Sequence, residues 1–275
     1  MKIGFVFTNF NNSKYTRDVV RSIALNELVS ESHVVIVDNC SNEKELQILN
    51  EIISDYPNIH VIFNNENLGY FKGLNLGIKF LRENYKDICY TIIGNNDLIF
   101  PNEFIKSIIN KEIIFKSYPV ISPDLITLDG RHQNPHVIKK ISQFRELVYD
   151  LYHSSYLIAR IITAFAKTTK TFTDRKDVEE FRVPQIIWQG YGACYILGPL
   201  FFKYFDELWA PTFLMGEEFF LSRQIENEKM NIFYDPAFVV IHQEHASVSK
   251  VPKKKLWEFS RESHRIYRKY VKIWQ

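Results

Sequence analysis

Ile3-Gly4-Phe5-Val6-Phe7-Thr8, His33-Val34-Val35-Ile36-Val37-Asp38 and Ile59-His60-Val61-Ile62-Phe63-Asn64 are three short, almost continuously apolar runs, each ending in polar residues. Between them lie two helix-length patterns, Ser13 to Leu28 and Glu43 to Ser54. A further helical stretch, about Tyr70 to Asn84, leads to a fourth apolar run from Cys89 to Gly94. Apolar strands alternating with helices of this length predict βαβ units and a mainly parallel sheet flanked by helices. Such sheets bind ligands beyond the carboxyl ends of their strands. Here those ends read Thr8-Asn9, Asp38-Asn39, Asn64-Asn65 and Asn95-Asn96-Asp97. One polar strand end is a turn, whereas four along one edge define a candidate site.

Pro101 opens a further helix, and beyond it the alternation loosens. Ser142 to Lys170 reads as a helical excursion with a wide apolar face, including Phe144, Leu147, Leu151, Leu157, Ile161 and Phe165. Strand character returns from Gln185 to Leu197, Gly216 to Met230 reads as a helix, and Ile232 to His242 as a strand. The last element, Lys253 to Ile273, is a basic helix interleaved with Trp257, Phe259, Tyr267, Tyr270 and Trp274. A length of 275 residues suits one α/β domain over 1–249, with a regular half of about 1–100, a looser half of about 101–249 containing the excursion 142–170, and a basic appendage at 250–275. An aromatic share of 15%, mostly Phe and Tyr, is high enough both to pack a core and to line a groove for sugars or lipid.

The net charge is only +2, which argues against a dedicated nucleic-acid binder. Residues 250–275 hold nine Lys or Arg and two Glu, a local balance of +7 that leaves −5 for the rest. Basic charge with interfacial aromatics predicts a helix lying on an anionic membrane; the plainer expectation is that these aromatics dock on the domain. Cys40, Cys89 and Cys194 are isolated and odd in number, which suits a reducing cytosol rather than a disulfide framework. The apolar stretch Ile186 to Phe202 is interrupted by Gln189, glycines and Pro199, too broken to span a bilayer. A cytoplasmic protein, peripheral at the inner face of the membrane through its tail, is expected.

No G-x-G-x-x-G follows the first strand and no Walker A sequence occurs, so neither a dinucleotide nor a P-loop site is indicated. Asp38 at a strand end suits hydrogen bonding to a base or ribose, and equally the capping of the next helix. In Asn67-Leu68-Gly69-Tyr70-Phe71-Lys72-Gly73-Leu74-Asn75-Leu76-Gly77 the glycines permit close backbone approach to a phosphate, although helix-on-sheet packing accounts for Gly77. Asp97 is placed to hold Mg²⁺ or Mn²⁺ against a diphosphate leaving group, or to form part of an Asn-Asn-Asp turn. Glu217 and Glu218 open a helix, where the macrodipole favours acids in any case. Glu218 shares a face with Leu221 and Ile225, pointing it inward as a general base with Glu217 as helper. His242 ends an apolar strand, where a neutral imidazole can serve as a second metal ligand.

Taken in order, these segments resemble the family-2 glycosyltransferases of the GT-A fold, especially the bacterial rhamnosyltransferase-like group of surface-polysaccharide synthesis. The matching pieces are Thr8-Asn9-Phe10-Asn11, Val37-Asp38-Asn39-Cys40-Ser41, Asn67-Leu68-Gly69, Asn75-Leu76-Gly77, Asn95-Asn96-Asp97, Gly190-Tyr191-Gly192-Ala193, Gly216-Glu217-Glu218 and His242 through Ser247. The resemblance implies that Thr8, Asn9, Asn11, Asp38, Asn67, Gly69, Asn75, Asn95, Asn96 and Asp97 face the nucleotide sugar, with Asp38 recognising the base. It implies that about 1–100 is the nucleotide-binding half and about 101–249 the acceptor-side half, that Gly190, Tyr191 and Gly192 lie on the acceptor side, and that Asp97 and His242 hold the metal. It also places Glu218 at the family's catalytic Asp. Two positions depart from the pattern: Asn95 stands where the D-x-D motif has its first acid, and Glu218 where the family has Asp. The function implied is inverting transfer from a UDP-, dTDP- or GDP-sugar to a hydroxyl of a glycan or lipid-linked glycan. A nucleotidyltransferase on a similar core is the first alternative, but Thr8-Asn9-Phe10-Asn11-Asn12 lacks the glycine run it needs after the first strand. A catalytically inactive binding module is the second, disfavoured by the retention of Asp97, Glu218 and His242.

Overall fold

The structure, a computed structural model, describes residues 2–56, 58–168, 180–244 and 252–271. Strands β1 (Lys2–Asn9), β2 (Ser32–Asp38), β3 (Ile59–Phe63) and β4 (Ile88–Asn95) pair in parallel in the order β3-β2-β1-β4. The sheet continues through β8 (Cys194–Leu197), β6 (Val120–Thr127) and β9 (Ile232–His242), and β9 carries β5 (Leu98–Ile99) and β7 (Gln185–Ile187). β8 runs antiparallel to β4 and β6, and β5 and β7 antiparallel to β9. With β6 and β9 parallel, β1, β2, β3, β4, β6 and β9 share one direction, so the expectation of a mainly parallel sheet holds.

Both faces of the sheet are covered, which is why its strands lack an alternating polar face. On β1, Ile3, Phe5 and Phe7 pack with Val19, Val20 and Ile23 of α1 (Ser13–Ala24), with Leu49 and Ile52 of α2 (Glu43–Asp55), and with Phe104, Ile105 and Ile108 of α4 (Phe104–Asn110). Val6 points to the opposite face, towards Phe71, Leu74, Ile78 and Leu81 of α3 (Tyr70–Asn84). That face extends through α7 (Pro199–Tyr204) to Leu221 and Ile225 of α8 (Glu217–Asn227).

Five elements differ from the expectation: the run Gln185 to Leu197 is the two strands β7 and β8 with a turn between them, the C-terminal helix stops at Tyr267, and three others depart as follows. α1 stops at Ala24 rather than Leu28, because Asn26 folds back to donate to the Ser22 carbonyl (3.1 Å) while accepting from the Ile105 amide (3.2 Å). The helix expected from Pro101 begins at Phe104, because Leu98 and Ile99 are taken up by pairing with His242 and Ile241. The excursion 142–170 is two helices, α5 (Gln143–Ser154) and α6 (Tyr156–Thr168), broken at Ser155, whose backbone is extended. Its apolar face is only partly used: Phe144, Leu157 and Ile161 are exposed. Residues 169 and 170 of that expected span, and 245–247 of the His242–Ser247 match, lie outside the described residues.

The C-terminal helix α9 (Lys253–Tyr267) lies against the domain, with α5 among its neighbours. Trp257 is buried and donates its indole N–H to the Tyr152 carbonyl (3.1 Å), and Ser263 donates to the Leu214 carbonyl (2.8 Å). Tyr267 meets Phe219 edge-on at 4.1 Å, and Tyr270, just past the helix, meets Trp209 at 4.8 Å. Arg268 reaches Asp150 (2.6 Å) and the Glu146 carboxylate (3.0 Å). Trp257 and Tyr267 are thus spent on packing, whereas Tyr270 keeps an exposed edge and Lys253 and Lys254 face outward. Trp274 lies outside the described residues, among which no helix is long and apolar enough to cross a membrane.

Candidate active site

Parallel pairing places Thr8 beside Val37 and Asn95, and Asn9 beside Asp38, so residues far apart in sequence meet at one sheet edge. Their polar groups largely satisfy one another. Asp38, 1% exposed, accepts from the Asn9 amide (2.8 Å), the Ser41 backbone N–H (2.9 Å) and the Ser41 hydroxyl. Asn9 Oδ1 in turn accepts from Thr16 (2.8 Å) and Asn96 (3.0 Å), and Asn96 also reaches Asn12 (2.9 Å). A satisfied buried network of this kind rigidifies what it supports. Asp38 therefore stands one layer behind the site, holding Asn9, rather than in its wall.

In front of this network is a cavity of about 340 Å³, within the size range of small-molecule sites. Thr8, Asn9, Asn67, Gly69, Asn95 and Asn96, all expected at a nucleotide sugar, line it. The facing wall consists of Phe213, Leu214, Lys255 and Phe259, none of which the sequence reading singled out for this site. They come from a loop and the C-terminal helix, and the only local signal was the mixture of lysines and aromatics in that helix.

Gly69 joins the two walls. Its φ of +85° suits glycine, and a Cβ there would overlap the Phe213 carbonyl oxygen, which accepts from the Tyr70 amide at 3.1 Å. Asn67 stabilises the turn by accepting from the Gly69 amide (2.9 Å), and Asn39 donates to the Gly69 carbonyl (2.9 Å). Two expected site residues fall elsewhere. Asn75 buckles α3 to the loop that leads to Phe213, exchanging hydrogen bonds with Leu208 N and O (2.9 and 2.8 Å). Asn11 accepts from the backbone and side-chain nitrogens of Asn42 (3.0 and 2.7 Å), away from the cavity lining.

Behind Asn95 and Asn96, the pairing of β5 with β9 sets Asp97 against His242, with Nε2 3.3 Å from Asp97 Oδ1. Asp97 is fully buried, and neither carboxylate oxygen has a hydrogen-bond partner. His242 Nδ1 lies 2.7 Å from Gln133 Oε1, and Gln133 donates its amide to Glu244 (2.8 Å). With Nδ1–H committed to Gln133, Nε2 turns a lone pair towards a carboxylate oxygen. A divalent cation placed between them would find a ligand atom on each side. Among the described residues no group of three or more His, Cys, Asp or Glu could hold a metal, so a metal placed here would have only Asp97 and His242 from the protein. That is the complement Mg²⁺ or Mn²⁺ takes when substrate phosphates and water complete its coordination. Gln133, absent from the sequence reading, and Glu244, inside the matched segment but given no role there, are outer hydrogen-bond partners of the kind that would fix the imidazole as a ligand.

The turn Gly190-Tyr191-Gly192 connects this pair to the two glutamates. The Tyr191 ring lies 6.0 Å from that of His242, and Tyr191 N–H donates to Asn134 (2.8 Å). The Gly192 carbonyl accepts from Tyr70 (2.8 Å), at the start of α3 on the cavity wall. A Cβ on Gly192 would overlap the Glu218 carboxylate, towards which the Gly192 N–H is directed. Glu218 is half-buried, whereas Glu217, expected as the helper, is the more buried at 4% exposure and leaves one oxygen without a partner. The reason is that α8 is covered on both sides: Leu221 and Ile225 face the sheet, and Phe219 meets Tyr267 at the end of α9. Burial, with the Glu218 charge beside it, pushes Glu217 up to about 8, and burial raises Glu218 as well. At neutral pH the pair holds a proton, and Glu218 faces the turn that borders the cavity.

The sheet and its covering helices have the GT-A fold, as the likeness to solved structures shows. The chain superposes on TarS 1-349 of S. aureus in complex with UDP-GlcNAc (TM-score 0.56, 16% identity, 92% of this chain and 62% of that one). It superposes equally on the mannosyltransferase PcManGT of Pyrobaculum calidifontis in complex with GDP-Man and Mn²⁺ (0.56, 11%, 96% and 62%). A third likeness is GalNAc-T7 with UDP, GalNAc and Mn²⁺ (0.58, 14%, 90% and 44%). The chain thus spans less than two thirds of each of these proteins. No curated protein sequence matches it. The family model of glycosyl transferase family 2 matches residues 5–167, and the chain belongs to that family.

Proposed function

We propose that this glycosyltransferase moves a sugar from a UDP-, dTDP- or GDP-sugar to a hydroxyl of a glycan or lipid-linked glycan, with inversion, in surface-polysaccharide synthesis of the rhamnosyltransferase-like kind. The observation that carries this reading is the orphaned Asp97 carboxylate beside His242 Nε2, directly behind the asparagine-lined cavity. Asp97 and His242 would hold the divalent metal, which when bound offsets charge developing on the diphosphate leaving group. Thr8, Asn9 and Asn67 line the donor cavity, and Asp38 holds Asn9 in place. Glu218 takes the proton from the acceptor hydroxyl as its oxygen attacks the anomeric carbon, and the bond from that carbon to the diphosphate breaks in line. A carboxylate raised by burial is a stronger base than a solvated one, and Glu217 beside it retains a proton at neutral pH. The acceptor enters past Gly190, Tyr191 and Gly192.

The test is a screen of the three donor classes for metal-dependent hydrolysis and transfer, run on the wild type, Glu218→Gln and Glu217→Gln. Glu218→Gln is expected to keep donor affinity and lose ~10²-fold in turnover, as for removal of a general base. A normal Glu218→Gln beside a crippled Glu217→Gln moves the base by one residue, and no turnover with any donor removes the function.

A further inference from the structure

The cavity lined by asparagines on one side is closed on the other by the helix that the sequence presents as a basic tail. Lys255 and Phe259, one turn apart on α9, both line it, and Lys255 is the sole charged side chain among its described lining residues. A nucleoside diphosphate entering this space would otherwise meet neutral amides, threonine and aromatic rings. Building on the donor-site reading above, we propose that α9 is an integral wall of that site and that Lys255 binds the donor's diphosphate.

The position of Lys255 is set by a chain of contacts running back to the sheet edge. Phe259 packs on Phe213 with ring centroids 5.4 Å apart, and Ser263, one turn further along the same face, donates to the Leu214 carbonyl. Phe213 in turn is bound to the Gly69 turn through the Tyr70 amide. Trp257 and Arg268 fix the helix against α5. The ammonium, in contrast, is held lightly. It lies 5.0 Å from the centre of the Phe259 ring and 3.6 Å from a Glu258 oxygen, on a side chain 55% exposed. Exposed contacts of this kind contribute only tenths of a kcal/mol to about one, so a phosphate oxygen displaces them.

Where the motif has two acids, this chain has Asp97 alone. One carboxylate, a divalent cation and a doubly charged diphosphate leave one negative charge over, which the Lys255 ammonium neutralises. A lysine acts here as a compact point charge, as it does at other phosphate sites.

Calorimetry on the full chain tests the proposal. UDP, GDP and dTDP are titrated with Mn²⁺ and with EDTA, and the tightest is compared with its own nucleoside. Lys255→Met should weaken the diphosphate about tenfold, equivalent to ~1.4 kcal/mol, while leaving nucleoside affinity unchanged. Lys255→Arg should recover most of the loss, and Lys254→Met, which alters a lysine outside the cavity lining, should bind as wild type does. In EDTA, Lys255→Met should lower the diphosphate's affinity to that of the nucleoside. Equal diphosphate affinity in Lys255→Met and wild type overturns the role of Lys255. Parallel losses for nucleoside and diphosphate also overturn it, since they report a damaged wall rather than a lost charge. If the wild type binds none of the three nucleotides, the donor-site reading fails, and the proposal with it.

Discussion

Replacing Glu217 by Gln should make the protein more stable at neutral pH than at acid pH relative to wild type, and the structure sets both the sign and the scale. Glu217 is 4% exposed with one oxygen unpartnered, and burial followed by the Glu218 charge pushes it up to about 8. In the unfolded chain the same group titrates near 4.5. Between those values the folded state keeps a proton that the unfolded state has released. Stability is therefore highest below the unfolded pKa and falls as pH rises through this window. At ~1.4 kcal/mol per pH unit, the cumulative loss reaches roughly 5 kcal/mol as an upper bound, before any relaxation around the ionised group. Glutamine cannot ionise, so any packing or hydrogen-bonding cost it brings is the same at every pH and drops out of the slope. Urea unfolding of both proteins at intervals from about pH 5 to pH 8 measures that slope. The gap between Glu217→Gln and wild type should widen steadily in favour of the variant. Parallel pH profiles would refute the argument that Glu217 is buried as a neutral acid, and with it the assignment of the pair's charge to Glu218.

Two other outcomes follow from the site. Asp97→Ala should make nucleoside-diphosphate affinity equal in Mn²⁺ and EDTA, and calorimetry finding an undiminished metal response in the variant would dismiss the Asp97–His242 pair as the metal holder. Gly69→Ala forces a Cβ into the Phe213 carbonyl at positive φ, so it should cost roughly 2 kcal/mol or more of stability and weaken nucleotide binding; a Tm within a degree of wild type would show that the Gly69–Phe213 contact does not hold the two walls together.

The sequence alone determined the strand–helix alternation, because a strand covered on both faces must be apolar throughout, and Val34 to Val37 or Ile3 to Phe7 cannot be placed otherwise. It also determined that polar residues gather at one sheet edge, since parallel pairing aligns every strand end, bringing Asn9 beside Asp38 and Thr8 beside Asn95. What each of those residues does there was a tertiary decision. Asp38 and Asn96 are consumed by partners that are distant in sequence, whereas Asp97 is left with none, and a linear pattern cannot count hydrogen bonds across a fold. Asn75 shows the same limit: its motif position suggests a ligand, yet it buckles Leu208. The use of α9 was equally hidden. A helix carrying both lysines and aromatics can lie on a membrane or dock on a domain with the same sequence. The surfaces of Phe213, Leu214, Phe219 and Trp209, assembled only when the chain folds, turn its rings inward and bring Lys255 to the cavity.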